Sequence, residues 1–141
     1  MKFFYSILLL LPLKALAITD TEYKQAVAGS WVGDYKFDDI KRSWCANHFN
    51  DGSLKIYFLD ESISEMKKVR KFTLSGTWVV EKGLMTTVTQ IESLNGKPVN
   101  TEQEHDTDKY KILSIDDKQY KYEGQREGKT VFITKRVENC N

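Results

Sequence analysis

The residues best suited to binding chemistry in this chain are aromatic, and they recur at alternate positions. Trp31, Tyr35, Phe58, Phe72, Trp78, Tyr120 and Tyr122 fall on the faces that carry the apolar side chains. Such a set either lines a pocket for an apolar or cyclic ligand or fills a core. Tyr35, Trp78, Tyr120 and Tyr122 are the candidate ligand contacts. Tyr is favoured for this, because a buried phenol must find a polar partner. The two histidines are His48 and His105. Glu102, Glu104, His105, Asp106 and Asp108 form an acidic cluster that could offer His105 and carboxylates to a metal ion. It lacks EF-hand spacing and an H-x-x-x-H pair, so a solvated loop is expected, with no metal and no cofactor. His48, beside Trp44 and Cys45, reads as a local structural residue. G-x-S-x-G, a phosphate-cradling glycine loop and H-E-x-x-H are all missing. The carboxylate pairs Asp38-Asp39 and Asp116-Asp117 sit where turns need Asp for backbone reasons. The expectation is that the protein is not an enzyme.

Cys45 and Cys140 are the only cysteines. No C-x-x-C spacing suggests a metal or redox pair, and in an oxidising compartment two isolated cysteines form one disulfide. That compartment is suggested by residues 1–17, MKFFYSILLLLPLKALA. Lys2 is a short basic n-region, an apolar run follows, and Ala15-Leu16-Ala17 is an A-x-A cleavage box. The run is too short to span a bilayer, which takes about 20 residues, and no later segment is apolar enough to do so. The mature protein is therefore expected to be periplasmic or secreted. Setting aside Lys2 and Lys14 leaves 19 basic against 20 acidic residues. This balance argues against nucleic acid as a partner, since backbone phosphates demand a broad basic surface.

These side chains need elements to position them. Residues 18–28 form a lead-in segment with the makings of a short helix. Residues 29–141 then form one domain of period-two segments. Trp31, Gly33, Tyr35 and Phe37 share one face; Leu54, Ile56 and Phe58 share another after the turn Asn50-Asp51-Gly52. Phe72, Leu74, Gly76, Trp78 and Val80 mark a long strand with an expected bend at Gly76. Strands are also expected over 84–91, 110–115, around Tyr120 and Tyr122, and over 129–137, with 99–108 a long polar loop. Seven or eight strands joined by short turns make an all-β fold, an antiparallel up-and-down barrel or a sandwich. The Cys45–Cys140 bridge favours the barrel, because closure puts the last strand beside the first.

Gly29-Ser30-Trp31 opens the first strand and Arg136 lies near the end of the last. Gly76-Thr77-Trp78 repeats the pattern, and Asp51-Gly52-Ser53 stands between the two. In these motifs residues 29–137 resemble the small bacterial lipocalin-like domains. The resemblance implies a lipocalin-like barrel of about eight strands with Trp31 on its floor and Arg136 laid over the indole. Gly29, Trp31 and Arg136 would then be the structural signature. It also implies a small hydrophobic or amphipathic ligand inside. The second conserved motif of the main lipocalins is absent, with only Asp108-Lys109-Tyr110 as an echo, and their C-terminal helix is lacking. Two functions remain open at this stage. One is ligand binding within the barrel. The other is a protein-interaction module, an enzyme inhibitor or envelope assembly factor, with a filled barrel and a protein partner. An open cavity favours the first and a packed interior the second.

Overall fold

A computed structural model describes residues 17–64, 68–99, 105–126 and 128–140. The expected signal segment lies, except for Ala17, outside the described residues. A short helix leads into the domain: α1 (Asp20–Val27). Its start is fixed by a capping box, in which Thr19 Oγ accepts from the Glu22 amide while the Glu22 carboxylate accepts from the Thr19 amide. Among the described residues nine strands follow: β1 (Gly29–Phe37), β2 (Ile40–His48), β3 (Ser53–Ser62), β4 (Val69–Glu81), β5 (Leu84–Leu94), β6 (Lys97–Pro98), β7 (Asp106–Ile115), β8 (Gln119–Gly124) and β9 (Val131–Val137).

Each long strand pairs antiparallel with the next, and β9 returns to pair with β1. The two-residue β6 only extends the hairpin at the end of β5. The result is a closed eight-stranded antiparallel barrel with one helix among the described residues, the architecture the lipocalin resemblance implies. The turns are those the sequence encodes. Lys82-Gly83 and Asn95-Gly96 both adopt positive φ, as tight two-residue hairpins require. Asp51, Asp116 and Asp39 accept hydrogen bonds from backbone amides of their own or an adjoining turn.

Three expectations need correction. The segment 40–48, whose sequence pattern predicts no strand, is the full-length β2. Its inward positions alternate as Arg42, Trp44, Ala46 and His48, so the charged and polar members hide the apolar period. The expected loop 99–108 is shorter, because β7 begins at Asp106. The expected bend at Gly76 is also displaced. The irregularity in the β4–β5 pairing falls between Thr73 and Leu74. Gly76 serves instead for close approach, since a Cβ there would collide with the Val88 carbonyl of β5.

One end of the barrel is shut. Val27 of α1 is fully buried against Trp31, Leu54, Trp78, Val80, Met85, Ile112 and Tyr120, and Tyr23 packs beside them. The Asp20 carboxylate reaches the Gly83 amide, tying the helix to the β4–β5 turn. Cys45 and Cys140 are bonded, with Cα atoms 5.6 Å apart. The bridge fastens the segment after β9 to β2, across β1.

Candidate functional site: an amphipathic cavity within the barrel

Above the closed floor the barrel holds a cavity of about 680 Å³. That lies within the range of about 300–1,000 Å³ usual for small-molecule sites. A concavity of about 770 Å³ lies on the outer face of the barrel, over Val32, Cys45, Tyr57 and Ile133, and is more open to solvent. The interior cavity is the more enclosed of the two and gathers the inward-facing aromatics, so it is the candidate site.

The floor comes from local sequence. Trp31 is 1% exposed, and its indole N–H donates to the Val27 carbonyl at 2.7 Å. Arg136 is its direct neighbour across β1 and β9. The guanidinium carbon stands 4.2 Å from the ring centroid, a cation–π stack. The same group donates to the carbonyls of Ala26 and Ala28 at the C-terminal end of α1, and to that of Asp117. It thus binds a helix end that has unsatisfied acceptors and a negative dipole end. Gly29 is required here. Its φ is +121°, and a Cβ would stand 2.5 Å from Arg136 Nη1.

From the floor an aromatic ribbon climbs one wall. Trp31 meets Tyr120 edge-on at 5.5 Å between centroids, and Tyr120 lies 4.6 Å from Tyr122. Tyr122 contacts Tyr110 and Phe132, and Phe132 contacts Tyr35 and Trp44. Tyr35 stacks on Phe37 near the rim. Strand alternation explains the ribbon, since every member faces inward on β1, β2, β7, β8 or β9. Tyr122 lies deep in the barrel yet keeps accessible surface, because that surface faces the cavity. Burial pushes its phenol pKa well up, with Trp44 donating a hydrogen bond to it. Burial, reinforced by the nearby Asp108 charge, pushes Tyr110 up to about 12; its hydroxyl is bonded to Thr87. These phenols therefore remain neutral hydrogen-bonding groups. The Tyr120 hydroxyl is spent on Met85 Sδ at 3.6 Å.

The opposite wall and the rim carry charge. Phe58 and Phe72 stack at 4.8 Å, and the Arg42 guanidinium stands 5.1–5.2 Å from the rings of Phe37, Phe58 and Phe72. Arg42 donates through two nitrogens to the buried Asp60 carboxylate, each at 2.7 Å. This bidentate geometry suits Arg and excludes Lys. Across the mouth, Arg126 bridges Asp106 at 2.7 Å and Asp108 at 2.6 Å. Burial raises the Asp108 pKa, while Arg126 works against that shift.

Three of the four candidate contacts, Tyr35, Tyr120 and Tyr122, line the cavity together. Trp78 is placed differently. It is 1% exposed within the floor, where its N–H donates to the Phe49 carbonyl and its ring meets His48 edge-on at 5.2 Å. Of the acidic cluster, Glu102 and Glu104 lie outside the described residues, whereas Asp106 and Asp108 sit on β7 and face the cavity mouth. Arg42, Trp44, Arg70, Tyr110 and Arg126 also line the cavity and were not anticipated. Only the alternation of β2 could have revealed Arg42 and Trp44. No protein-family model matches the chain, and no curated protein sequence matches it.

Proposed function

We propose that this is an exported lipocalin-like protein that binds a small hydrophobic or amphipathic molecule inside its barrel, and that it acts as a binder rather than an enzyme. The observation that carries the reading is the cavity of about 680 Å³, closed by α1 and Trp31 at one end and open at the other. A filled barrel would have favoured a protein-interaction module. Here the aromatic side chains line the walls instead of meeting across the axis. The lining combines an apolar body with a few hydroxyls and ion pairs, the composition that orients an amphipathic guest. Export is supported by the signal-like segment 1–17 and by the Cys45–Cys140 bond, a type that persists in oxidising compartments.

The test is titration with a neutral fluorescent naphthylamine whose emission rises in apolar surroundings. Saturable binding of one molecule per chain is expected. Leu74→Trp, which adds bulk on the cavity wall, should abolish it while leaving the circular dichroism spectrum unchanged. Unsaturable binding, or equal binding by the filled variant, would place the guest elsewhere and refute the proposal.

A further inference from the structure

The charges at the cavity mouth are unevenly divided. On one side Arg42, Asp60 and Arg70 occupy facing register positions on β2, β3 and β4. Asp60 is fully engaged by Arg42. Arg70 makes no ion pair among the described residues; its guanidinium stands 5.4 Å from the Phe72 ring centroid. Among the described residues, two cations there face one carboxylate, an excess of one positive charge. On the other side, among the described residues, Asp106 and Asp108 share the cation Arg126, an excess of one negative charge. The two groups sit on separate arcs of the rim, since β5 stands between β4, which carries Arg70, and β7, while β1 and β9 stand between β2 and β8 in the closed order. Arg42, Arg70, Asp106, Asp108 and Arg126 all line the same cavity.

Below this rim the lining is mainly apolar, with Leu54, Leu74 and Met85 among the aromatics and the uncharged hydroxyls of Thr87, Thr89 and Thr134 between them. A charged head carried to that depth would lose its hydration without a charged partner, so that position is disfavoured. A guest with a charged head therefore leaves the head at the rim and sends its tail down.

We propose that the cavity takes a zwitterionic amphiphile, tail toward Trp31 and Leu54, with its anionic group beside Arg70 and its cationic group beside Asp106 and Asp108. The proposal rests on the binding function above and adds the head-group chemistry and the orientation. A purely anionic head gains Arg70 but faces the acidic side. A purely cationic head gains the acidic side but faces Arg70. A head with both charges complements both sides and leaves the Arg42–Asp60 and Arg126 pairs intact.

The experiment compares four probes with twelve-carbon tails, each below its micelle concentration and at low salt, by calorimetric titration of the delipidated, disulfide-bonded protein. The probes are dodecylphosphocholine (zwitterionic), laurate (anionic), dodecyltrimethylammonium (cationic) and lauroylglycerol (neutral). Dodecylphosphocholine should bind tightest, by about fivefold over either singly charged probe, the upper end of what a solvent-exposed ion pair contributes. Arg70→Gln should weaken dodecylphosphocholine and laurate about fivefold and bind dodecyltrimethylammonium somewhat more tightly, because its cationic head no longer faces Arg70. Asp108→Asn should weaken dodecylphosphocholine and dodecyltrimethylammonium and bind laurate somewhat more tightly, because its carboxylate then faces less negative charge. A folding defect cannot produce these mirror-image patterns, because it would weaken all four probes. Equal affinity for all four, tightest binding of a singly charged probe, or uniform weakening by both variants would overturn the head-group assignment while the cavity still binds. Failure of every probe to bind would overturn the cavity reading itself.

Discussion

Arg136 joins three parts of the molecule through one planar group, since it stacks on Trp31, caps α1 and reaches the β7–β8 turn. The neighbouring floor residues carry two testable consequences. His48 is buried, its Nδ1 has no hydrogen-bond partner among the described residues, and desolvation pushes its pKa down to about 4. The unfolded chain would titrate near 6.5. Between those values the unfolded state holds more protons, so stability is complete above pH 6.5 and falls as pH drops toward 4. The full loss is up to about 3 kcal/mol. Urea melts across this window should show that slope, and His48→Phe should flatten it. Trp78→Ala should cost about 3–5 kcal/mol by emptying the floor, read as a large drop in urea midpoint. A small stability loss with a large affinity loss would instead make Trp78 a guest contact. Trp31 and Arg136 were legible in the sequence because a short motif and strand position define them. Arg42, Asp60, Asp108 and Arg126 were not, because an inward charge is legible only once its partner across the barrel is known.

Elements were recovered where apolar alternation is intact and missed where charge interrupts it. β1, β3 and β4 display the period openly. β2 conceals it behind Arg42 and His48, and the first turns of β7 conceal it behind Asp106 and Asp108. In both strands the disguising residues are those that give the cavity its polarity, so the features hardest to read are the ones nearest to function. The β4–β5 seam gives a prediction at this scale. A methyl at Gly76 would overlap the Val88 carbonyl and also stand 2.9 Å from Thr89 Cα, both in β5 backbone that cannot rotate aside. Gly76→Ala should therefore force the two strands apart and cost about 3 kcal/mol, in line with a severe overpacking penalty. Hydrogen exchange should rise along β4 and β5 and stay unchanged along β8 and β9. Unaltered protection at the seam would show that the strands adjust freely.

At the scale of the whole molecule, closure removes sheet edges and leaves the rim as the route into the interior. Barrel closure was legible from strand count and from two cysteines far apart in sequence, because a bridge between them demands that the chain's ends meet. The volume inside was not legible, since the same aromatics at the same spacing either line a cavity or fill it, and side-chain direction decides between them. The bridge itself should act on stability and not on binding. Removing it with Cys45→Ser and Cys140→Ser together should cost about 2–4 kcal/mol, leaving probe affinity at the rim unchanged. Whether the barrel carries a guest is read from native mass spectrometry of the protein recovered from the cells that make it, set against its denatured mass. A discrete small-molecule increment, one per chain, is expected, and it should disappear on denaturation and in Leu74→Trp. A native mass with no such increment, in stoichiometric complex with another protein, would refute the binding function.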